Sequence, residues 1–396
     1  MPIGWSSLHA QSPEKTIEPE QPVSFVWPSK VPDGCPFSES RNITKIVFTG
    51  QHKEYTGADT FYPSWASDGN LYSPWTDGSI AGEKCGSWSG PKARTGQARI
   101  EGDDPLSLKV VSLGTSQASA TPYGGRYPCG TLVYDGIWYH GSYCLDKRAG
   151  PWDIMGPFVG FRISKDLGKT WDACPLTGGT PLFKESGKGD SKVKIGAPHF
   201  VDFGKNMEHS PDSKAYLVGH GAVRPNADNS WISGDQAYLT RVTPTPENIN
   251  DMSKYEFFAG HDQNNKPKWT QDFLEIKPIM EWNDNAGCVT MTWNAPLKKY
   301  FMCVTYGYKL GGGGKISYDT YILESSRITG PWNMVTYLNS FGPQAYFVNI
   351  PSKFISKDGK TMWLCYSANW SRKKENGNPP GSKYALCLQE IKLDVK

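Results

Sequence analysis

The chain lacks the features that mark several protein classes. No run of about 18 apolar residues occurs, so no membrane-spanning helix is predicted. The net charge is only +3 and no strong basic cluster is present, which argues against nucleic-acid binding. No His or Cys spacing matches a zinc motif, and no phosphate-binding loop is found. No amphipathic stripe extends beyond about three helical turns, which argues against a helical fold.

Short aromatic-rich segments separated by polar turns are abundant instead. The 396 residues include 15 Trp, 20 Tyr, 42 Gly and 30 Pro, as expected for many short strands joined by turns. Pairs of such segments flank turns that contain Asp, Asn, Gly or Lys, which is the signature of β-hairpins. The clearest hairpins begin near Phe61, Tyr127, Ala197, Gly287 and Pro351.

Two of these hairpins carry the same cysteine spacing. Cys129 and Cys144 are 15 residues apart, and so are Cys288 and Cys303, each pair placed about a polar turn. This match indicates one structural unit used repeatedly. Each pair forms either a cross-strand disulfide or two buried thiols. The total of nine cysteines is odd for a chain sealed by disulfides, and both alternatives stay open.

The repeated unit predicts an all-β, single-domain β-propeller. A second hairpin follows several of the first ones, and two hairpins in succession make a four-stranded blade. Five such units are plain. The stretches 79–105 and 262–286 are too long for simple loops, so we expect them to hold further, divergent blades. Residues 385–393 should pair with an N-terminal strand and close the ring.

The remaining segments divide the chain into an arm and a catalytic domain. Residues 1–40 are rich in Pro and Ser and should form an extended N-terminal arm, followed by the propeller over 41–396. The segment Ser164–Trp171 fits the Asp-box pattern S-x-D-x-G-x-T-W of sialidase-like propellers. In that pattern Ser and Asp cap a tight turn and Trp packs between strands, so its role is structural.

The segment Ala58–Gly78, ADTFYPSWASDGNLYSPWTDG, resembles a β-propeller family that removes terminal L-rhamnose from glucuronic acid in arabinogalactan proteins and gum arabic. The resemblance covers most of the chain after residue 40. It implies seven blades and a carbohydrate-active enzyme. Some members are L-rhamnose-α-1,4-D-glucuronate lyases and others were described as α-L-rhamnosidases. We therefore expect β-elimination that leaves an unsaturated uronate, with hydrolysis of the same linkage as the alternative.

The resemblance also bears on partners, location and cofactors. It implies an acidic arabinogalactan-type glycan as partner and an extracellular, monomeric protein that requires no cofactor. The segment Met1–Trp5 lacks the basic region and apolar core of a signal peptide. The propeller channel leaves room for a structural cation, whose ligands the sequence does not identify. A sugar-binding propeller without activity is a further alternative, with Trp65 and Trp75 as platforms.

The catalytic candidates come from two sources. The resemblance places an essential histidine just before the quoted motif, where His52 stands. The repeat places His199 at the start of an innermost strand, with Arg126 and Tyr127 at the corresponding point of another blade and Lys194 nearby. Removal of the C5 proton of a uronate needs a base, an acid for the departing O4 and a cation on the carboxylate, and these residue types supply all three.

Hydrolysis would use a different set of residues, and further residues are expected to contact the sugar. Hydrolysis would need two carboxylates about 5–10 Å apart. Asp59, Asp68 and Asp77 are available in the first blade, although Asp68 is best explained by a turn and no acid pair stands in a recognisable motif. The residues expected to contact the sugar are Lys194, Tyr62, Trp65, Asp77, His140 and His220.

Overall fold

The computed structural model describes residues 22–28, 30–147, 153–188, 191–309, 316–371 and 376–396. Strands dominate this part of the chain because its apolar runs are rich in β-branched and aromatic residues and are bounded by turns. The helical elements within it are three-residue 3₁₀ turns, and none is long or apolar enough to cross a bilayer. They span Gly90–Lys92, Lys205–Met207, Met252–Lys254, Phe273–Glu275 and Ser352–Phe354.

The described strands form five antiparallel sheets, which are the blades of a β-propeller. The first strand in the chain, β1 (Ile43–Tyr55), belongs to the last blade. The first blade is built on the path β2-β4-β6-β7, with β3 and β5 paired to β4. Its strands are β2 (Gly57–Asp59), β3 (Ser64–Trp65), β4 (Leu71–Ile80), β5 (Glu83–Cys85), β6 (Arg94–Glu101) and β7 (Lys109–Gln117).

The second and third blades differ in size. The second has three strands, β8 (Gly125–Tyr134), β9 (Ile137–Asp146) and β10 (Ile154–Ser164). The third follows the order β11-β12-β13-β14-β15, with β16 also paired to β13. Its strands are β11 (Gly196–Phe200), β12 (Ala215–Gly221), β13 (Gly234–Val242), β14 (Glu256–His261), β15 (Pro267–Thr270) and β16 (Pro278–Ala286).

The fourth and fifth blades each have four strands. The fourth consists of β17 (Cys288–Asn294), β18 (Lys299–Lys309), β19 (Ile316–Ser325) and β20 (Asn333–Leu338) in that order. The fifth runs from β21 (Tyr346–Asn349) through β22 (Thr361–Ser367) and β23 (Leu386–Val395) to β1. The pairing of β1 with β23, in which Val47 lies opposite Lys392, closes the ring as predicted.

The five predicted units are confirmed, but seven blades and a uniform four-stranded blade are not. The stretch 79–105 forms the end of β4, β5 and β6, and all three belong to the first blade. The stretch 262–286 contributes β15 and β16 to the third blade. Both stretches therefore enlarge blades that already exist, since their strands find hydrogen-bond partners at β4, β13 and β14.

Hairpin positions were predicted well, with one shift. The innermost strand of the fifth blade is Tyr346–Asn349, whereas the expected strand over 350–355 contains the 3₁₀ turn Ser352–Phe354. The shift follows from Pro351, which cannot donate to a strand ladder and is well suited to the start of a helical turn. The consequence is that Tyr346 and Phe347, rather than Ile350, stand at the inner end of this blade.

Part of the predicted N-terminal arm lies along the last two blades, whereas residues 1–21 and 29 fall outside the described residues. Phe25 exchanges backbone hydrogen bonds with Phe48 of β1 at 2.9 and 2.8 Å. Trp27 is buried against Phe48 and Phe341, with ring centroids 6.0 and 5.2 Å away. The arm therefore adds apolar cover to the fifth blade at the point where the ring closes.

The Asp-box segment forms the turn that its pattern predicts. Asp166 accepts hydrogen bonds from the Ser164 hydroxyl and the Thr170 amide, both at 2.8 Å, and from the Thr170 hydroxyl at 2.6 Å. These bonds, led by the one from the Thr170 hydroxyl, lower the pKa of Asp166 to about 2. Trp171 packs edge-on against Trp138, with centroids 5.1 Å apart. The segment is structural.

All nine cysteines are free thiols, which decides between the two alternatives left open by the sequence. The strand register explains why the matched pairs do not bridge. Cys144 lies opposite Arg126 and Cys303 lies opposite Thr290, so neither cysteine faces its expected partner across the hairpin. Burial raises the pKa of the Cys303 thiol to about 12, so it packs as a neutral, apolar group.

Candidate active site

A cavity of about 300 Å³ lies among the first, second and fifth blades. This volume is at the lower end of the range of ligand pockets, about 300–1,000 Å³. The first, second and fifth blades contribute strand residues to its wall, and loops contribute the rest. The lining residues are Asp59, Thr60, Asp77, Tyr127, Tyr143, Leu145, Asp153, Trp231, Tyr346, Phe347, Trp370 and Tyr384.

Aromatic rings lie between this cavity and a smaller void. Phe347 lines the cavity and contacts Tyr62 edge-on, with ring centroids 5.2 Å apart. Tyr62 in turn lies 4.2 Å from the ring of His199. Tyr62 and His199 line a separate void of only about 30 Å³ further along the axis. The two voids are therefore separate, and the rings of Phe347 and Tyr62 meet between them.

Three carboxylates project into the cavity from two blades. Asp59 ends β2 and Asp77 lies on β4 of the first blade, whereas Asp153 immediately precedes β10 of the second. All three act electrostatically on the hydroxyl of Tyr127, which lies between them. Within the described residues they do not form a cluster able to hold a metal ion, and no other group of His, Cys, Asp and Glu does.

Hydroxyl and amide donors hold two of these carboxylates in place. The buried Asp59 accepts a hydrogen bond from the Tyr346 hydroxyl through Oδ2. Asp77 accepts from the Ser87 amide at 2.7 Å through Oδ1 and also bonds with the Tyr127 hydroxyl. The Tyr384 hydroxyl donates to the main-chain oxygen of Asp77 at 2.8 Å and also interacts with the side chain of Asp59. Such charge-assisted bonds fix the direction of a carboxylate.

The tyrosines of the cavity remain protonated. Burial, reinforced by Asp77, Asp59 and Asp153, raises the pKa of Tyr127 well above its ordinary value. Burial and the Asp59 carboxylate do the same to the pKa of Tyr346. Their hydroxyls are therefore neutral hydrogen-bond donors near neutral pH.

Aromatic side chains supply the apolar wall opposite the acids. Trp231 is stacked on Phe347, with an interplanar angle of 23° and centroids 6.2 Å apart, and meets Trp370 edge-on at 6.5 Å. The indole nitrogen of Trp370 donates to the Tyr318 hydroxyl, which fixes the plane of its ring. Flat, immobilised rings beside convergent polar groups are typical of sites that bind the apolar face of a ligand.

Two lining residues adopt backbone conformations that L-residues rarely use. Asp77 has φ +43° and Phe347 has φ +50°, both in the left-handed region. For a bulky residue such as Phe347 this conformation is an outlier. Backbone strain of this kind concentrates at functional sites, where the surrounding structure holds it in place. The strain therefore agrees with the cavity being the site of function.

The structure brings together only some of the residues expected from the sequence. Asp77 and Tyr127 line the cavity. Tyr62 and His199 form the layer beneath it, where burial lowers the pKa of His199 to about 3 and keeps its ring neutral. His199 is therefore placed at the funnel, as expected, but not in contact with the cavity itself.

The other candidates lie away from the cavity. His52 is on β1, the outermost strand of the fifth blade, where its Nδ1 lies 3.0 Å from the Gly50 oxygen. Arg126 donates to the main-chain oxygen of Ser119 at 2.9 Å, and the ammonium of Lys194 lies over the ring of Phe273. None of these three residues lines the cavity. Three more candidates do not line the cavity either: Trp65, His140 and His220.

Several lining residues were not singled out by sequence. Asp153, Trp231, Tyr346, Trp370 and Tyr384 lie in loops or at strand ends in four different parts of the chain. No short motif contains them, because ring closure brings them together. The sequence signal that pointed toward this cavity was Asp59, one of three acids of the first blade, which stands directly before the hairpin that begins near Phe61.

Comparisons with known proteins give only distant similarities. The sequence matches no protein-family model and no curated protein. Similar solved structures include a protein from Bacteroides ovatus, with 13% identity, TM-score 0.49, and coverage of 92% of this chain and 95% of that one. Others are the catalytic domain of a GH62 α-L-arabinofuranosidase from Coprinopsis cinerea (14%, TM-score 0.42, coverage 93% and 98%) and a GH93 α-L-arabinofuranosidase from Fusarium graminearum (10%, TM-score 0.44, coverage 86% and 97%). These values define neither the fold nor the activity of this chain.

Proposed function

We propose that the protein is a glycoside hydrolase that removes a neutral terminal sugar from a glycan. The observation that carries the proposal is the cavity itself, which is lined by three carboxylates and by aromatic rings. Glycoside hydrolysis proceeds through a positively charged, oxocarbenium-like transition state and uses a pair of carboxylates as acid and base or nucleophile. A cavity of only about 300 Å³ suits a single terminal sugar better than several residues of a chain.

The charge of the cavity favours hydrolysis over β-elimination. Elimination at a uronate needs a cation or protonated donor against the sugar carboxylate, because the C5 proton is otherwise too weakly acidic. Among the described lining residues there is no Arg, Lys or His, whereas there are three Asp. A uronate at this point would meet like charges, and the protonated Tyr127 and Tyr346 hydroxyls already bond with Asp77 and Asp59. The hydrolase alternative therefore takes precedence over the lyase.

The surroundings of the three acids divide the roles. Asp59 is the deepest and is oriented by the Tyr346 hydroxyl, so we assign it as base or nucleophile at the anomeric carbon. Asp153 stands on the neighbouring second blade, just before β10, and we assign it as the acid that protonates the leaving oxygen. Asp77, held by the Ser87 amide and Tyr127, supports the developing positive charge.

The family resemblance of Ala58–Gly78 supplies the first substrate to test. L-Rhamnose is neutral, and its methyl group and apolar face suit the rings of Trp231 and Phe347. In a rhamnosyl-glucuronate end, cleavage at the rhamnose anomeric carbon lets the glucuronate remain outside the acidic cavity. Arabinogalactan and gum arabic ends are therefore compatible with a hydrolase whose reacting sugar is the rhamnose.

One incubation tests the proposal. Wild-type protein is incubated with gum arabic and with aryl glycosides of neutral sugars, while free sugar and the ultraviolet absorbance of unsaturated uronate are followed together. Free sugar without a rise in absorbance is expected, and it should disappear in Asp59→Asn. Free rhamnose with a matching rise in absorbance would establish the lyase. Binding without any product would make the protein a sugar-binding propeller.

The assignment of Asp153 has its own test. An aryl glycoside with an acidic phenol needs little protonation of its leaving group, so Asp153→Asn should keep far more activity on it than on a natural glycan. Asp59→Asn should lose activity on both, by about 10²–10⁴-fold. Equal losses on both substrates in Asp153→Asn would show that Asp153 is not the acid.

A further inference from the structure

A row of buried polar side chains crosses the second blade on the face that packs against the first. In the strand register Thr131 of β8 lies opposite His140 of β9, and His140 lies opposite Arg162 of β10. Side chains directly opposite each other in neighbouring strands share one face of the sheet. The ring of His140 and the guanidinium of Arg162 both lie against Trp171, at 5.8 and 4.8 Å.

The first blade supplies the other wall of this layer. Thr95 and Gln97 of β6 are buried, and two residues apart on a strand they share a face. In the amide orientation of Gln97 that gives both its nitrogen and its oxygen a partner, the oxygen accepts a hydrogen bond from the Trp171 indole nitrogen at 3.0 Å. This contact shows that β6 faces Trp171, so the polar layer lies between the first and second blades and away from the cavity.

The buried groups in this layer are mostly donors that lack acceptors. Arg162 is 8% exposed, and its Nε and Nη2 have no hydrogen-bond partner. Neither ring nitrogen of the fully buried His140 makes a hydrogen bond of good geometry, although the Gly96 carbonyl is close enough to act as an acceptor for one of them. The hydroxyls of Thr131 and Thr95 are in the same condition. Buried polar groups are normally paired, so a set this dense requires an explanation.

Arg162 also lacks a counter-charge. Among the described residues, the groups that act on it electrostatically are Arg126, Arg94 and the Cys85 thiol. The first two are cations, and burial raises the pKa of Cys85 to about 12, so that thiol is neutral. Contact with Trp171 offsets only part of the cost, since a cation–π interaction is weaker than the penalty for burying an unpaired ion.

We propose that a small monovalent inorganic anion binds between the first and second blades, where it accepts hydrogen bonds from Arg162, His140 and the two threonine hydroxyls. An anion is the one ligand class that satisfies all these donors and neutralises the buried guanidinium at once. His140 takes part as a neutral donor, because burial and the nearby Arg162 lower its pKa well below the ordinary value. Because the site ties two blades together, its occupancy should stabilise the folded state.

Chloride is the probe. The melting temperature of the wild-type protein is measured as sodium gluconate is replaced by sodium chloride at constant ionic strength. Once chloride exceeds its dissociation constant, the melting temperature should rise with the logarithm of the chloride concentration, by about 2–4 °C over the titration. In Arg162→Met the rise should vanish. Arg94→Met is the matched control, because it removes a neighbouring cation whose side chain is exposed and bonded to Thr115, and its chloride response should remain.

A second measurement covers the case in which Arg162→Met does not fold. Wild-type crystals grown or soaked in bromide should show an anomalous peak within hydrogen-bonding distance of Arg162 and His140. A melting temperature that ignores chloride, an equal rise in Arg162→Met, or bromide-soaked crystals without that peak would each overturn the proposal and leave water as the partner of these donors.

Discussion

Replacing Tyr346 by Phe tests whether Asp59 is the reacting carboxylate. The Tyr346 hydroxyl is buried at the inner end of β21 and donates to Oδ2 of Asp59. Its pKa is raised well above the ordinary value by burial and by that carboxylate, so it acts as a donor throughout the assay range. The substitution deletes one oxygen and keeps the ring that packs against Trp231.

The size of the effect follows from the kind of bond that is lost. A hydrogen bond to a charged group contributes about 1.5–3 kcal/mol. If Asp59 reacts in a fixed direction and in its ionised form, kcat/KM in Tyr346→Phe should fall by about 10–150-fold. The acid limb of the pH profile should also move to higher pH, because the carboxylate loses a donor that favours its charged form.

Tyr366→Phe is the control for this experiment. Tyr366 is a buried tyrosine of the neighbouring strand β22, and its hydroxyl bonds with that of Ser382 at 2.7 Å, away from the cavity lining. Steady-state rates and pH profiles are compared for the two variants and the wild type. Tyr366→Phe should match the wild-type profile. A Tyr346→Phe enzyme with wild-type kcat/KM and an unmoved acid limb would refute the assignment of Asp59.

Three further outcomes are expected. His52→Ala should keep most of the wild-type kcat/KM, because His52 lies on the outermost strand; a loss like that of Asp59→Asn in the same assay would support the original His52 prediction. Burial raises the pKa of Glu185 to about 7, so its contribution to stability is full below about pH 4.5 and is lost as pH rises through 7. Chemical denaturation should show the free energy of unfolding of the wild type falling by about 3 kcal/mol over this range, and Glu185→Gln should remove that fall. The same pH dependence of the unfolding free energy in both proteins would contradict this. The pKa of Asp166 is lowered to about 2, so its contribution to stability is present above about pH 4 and is lost as pH falls through 2. Asp166→Asn should therefore have a lower melting temperature than the wild type at neutral pH. A difference in melting temperature of the same size at pH 2 would contradict this.

Local chemistry explains what could be predicted from sequence. The hairpins at Phe61, Tyr127, Ala197 and Gly287 follow from turn residues and strand patterning, which act over a few positions. The closing pair of β1 and β23 follows from the need to satisfy the edges of an open ring. Blade number was less accessible, because a strand such as β16 can enlarge a neighbouring sheet as readily as start a new one.

The site was only partly predictable for a related reason. Asp77 and Tyr127 were found because they lie in recognisable hairpins. Tyr384 and Asp153 were not, because their meeting with Asp59 depends on how five sheets close around one axis. His52 was predicted from the family resemblance and Arg126 from its place in the repeat, but strand order places the first on an outermost strand and the Arg126 side chain donates to Ser119.

The origin of the oxygen on the released sugar tests the central claim most directly. Hydrolysis at the anomeric carbon breaks the bond between that carbon and the bridging oxygen, so the new hydroxyl comes from water. Elimination breaks the bond on the uronate side and leaves the bridging oxygen on the sugar. In water enriched in oxygen-18, mass spectrometry at short times should find the label on rhamnose released from gum arabic by the wild type. Unlabelled rhamnose beside an unsaturated uronate would contradict the account.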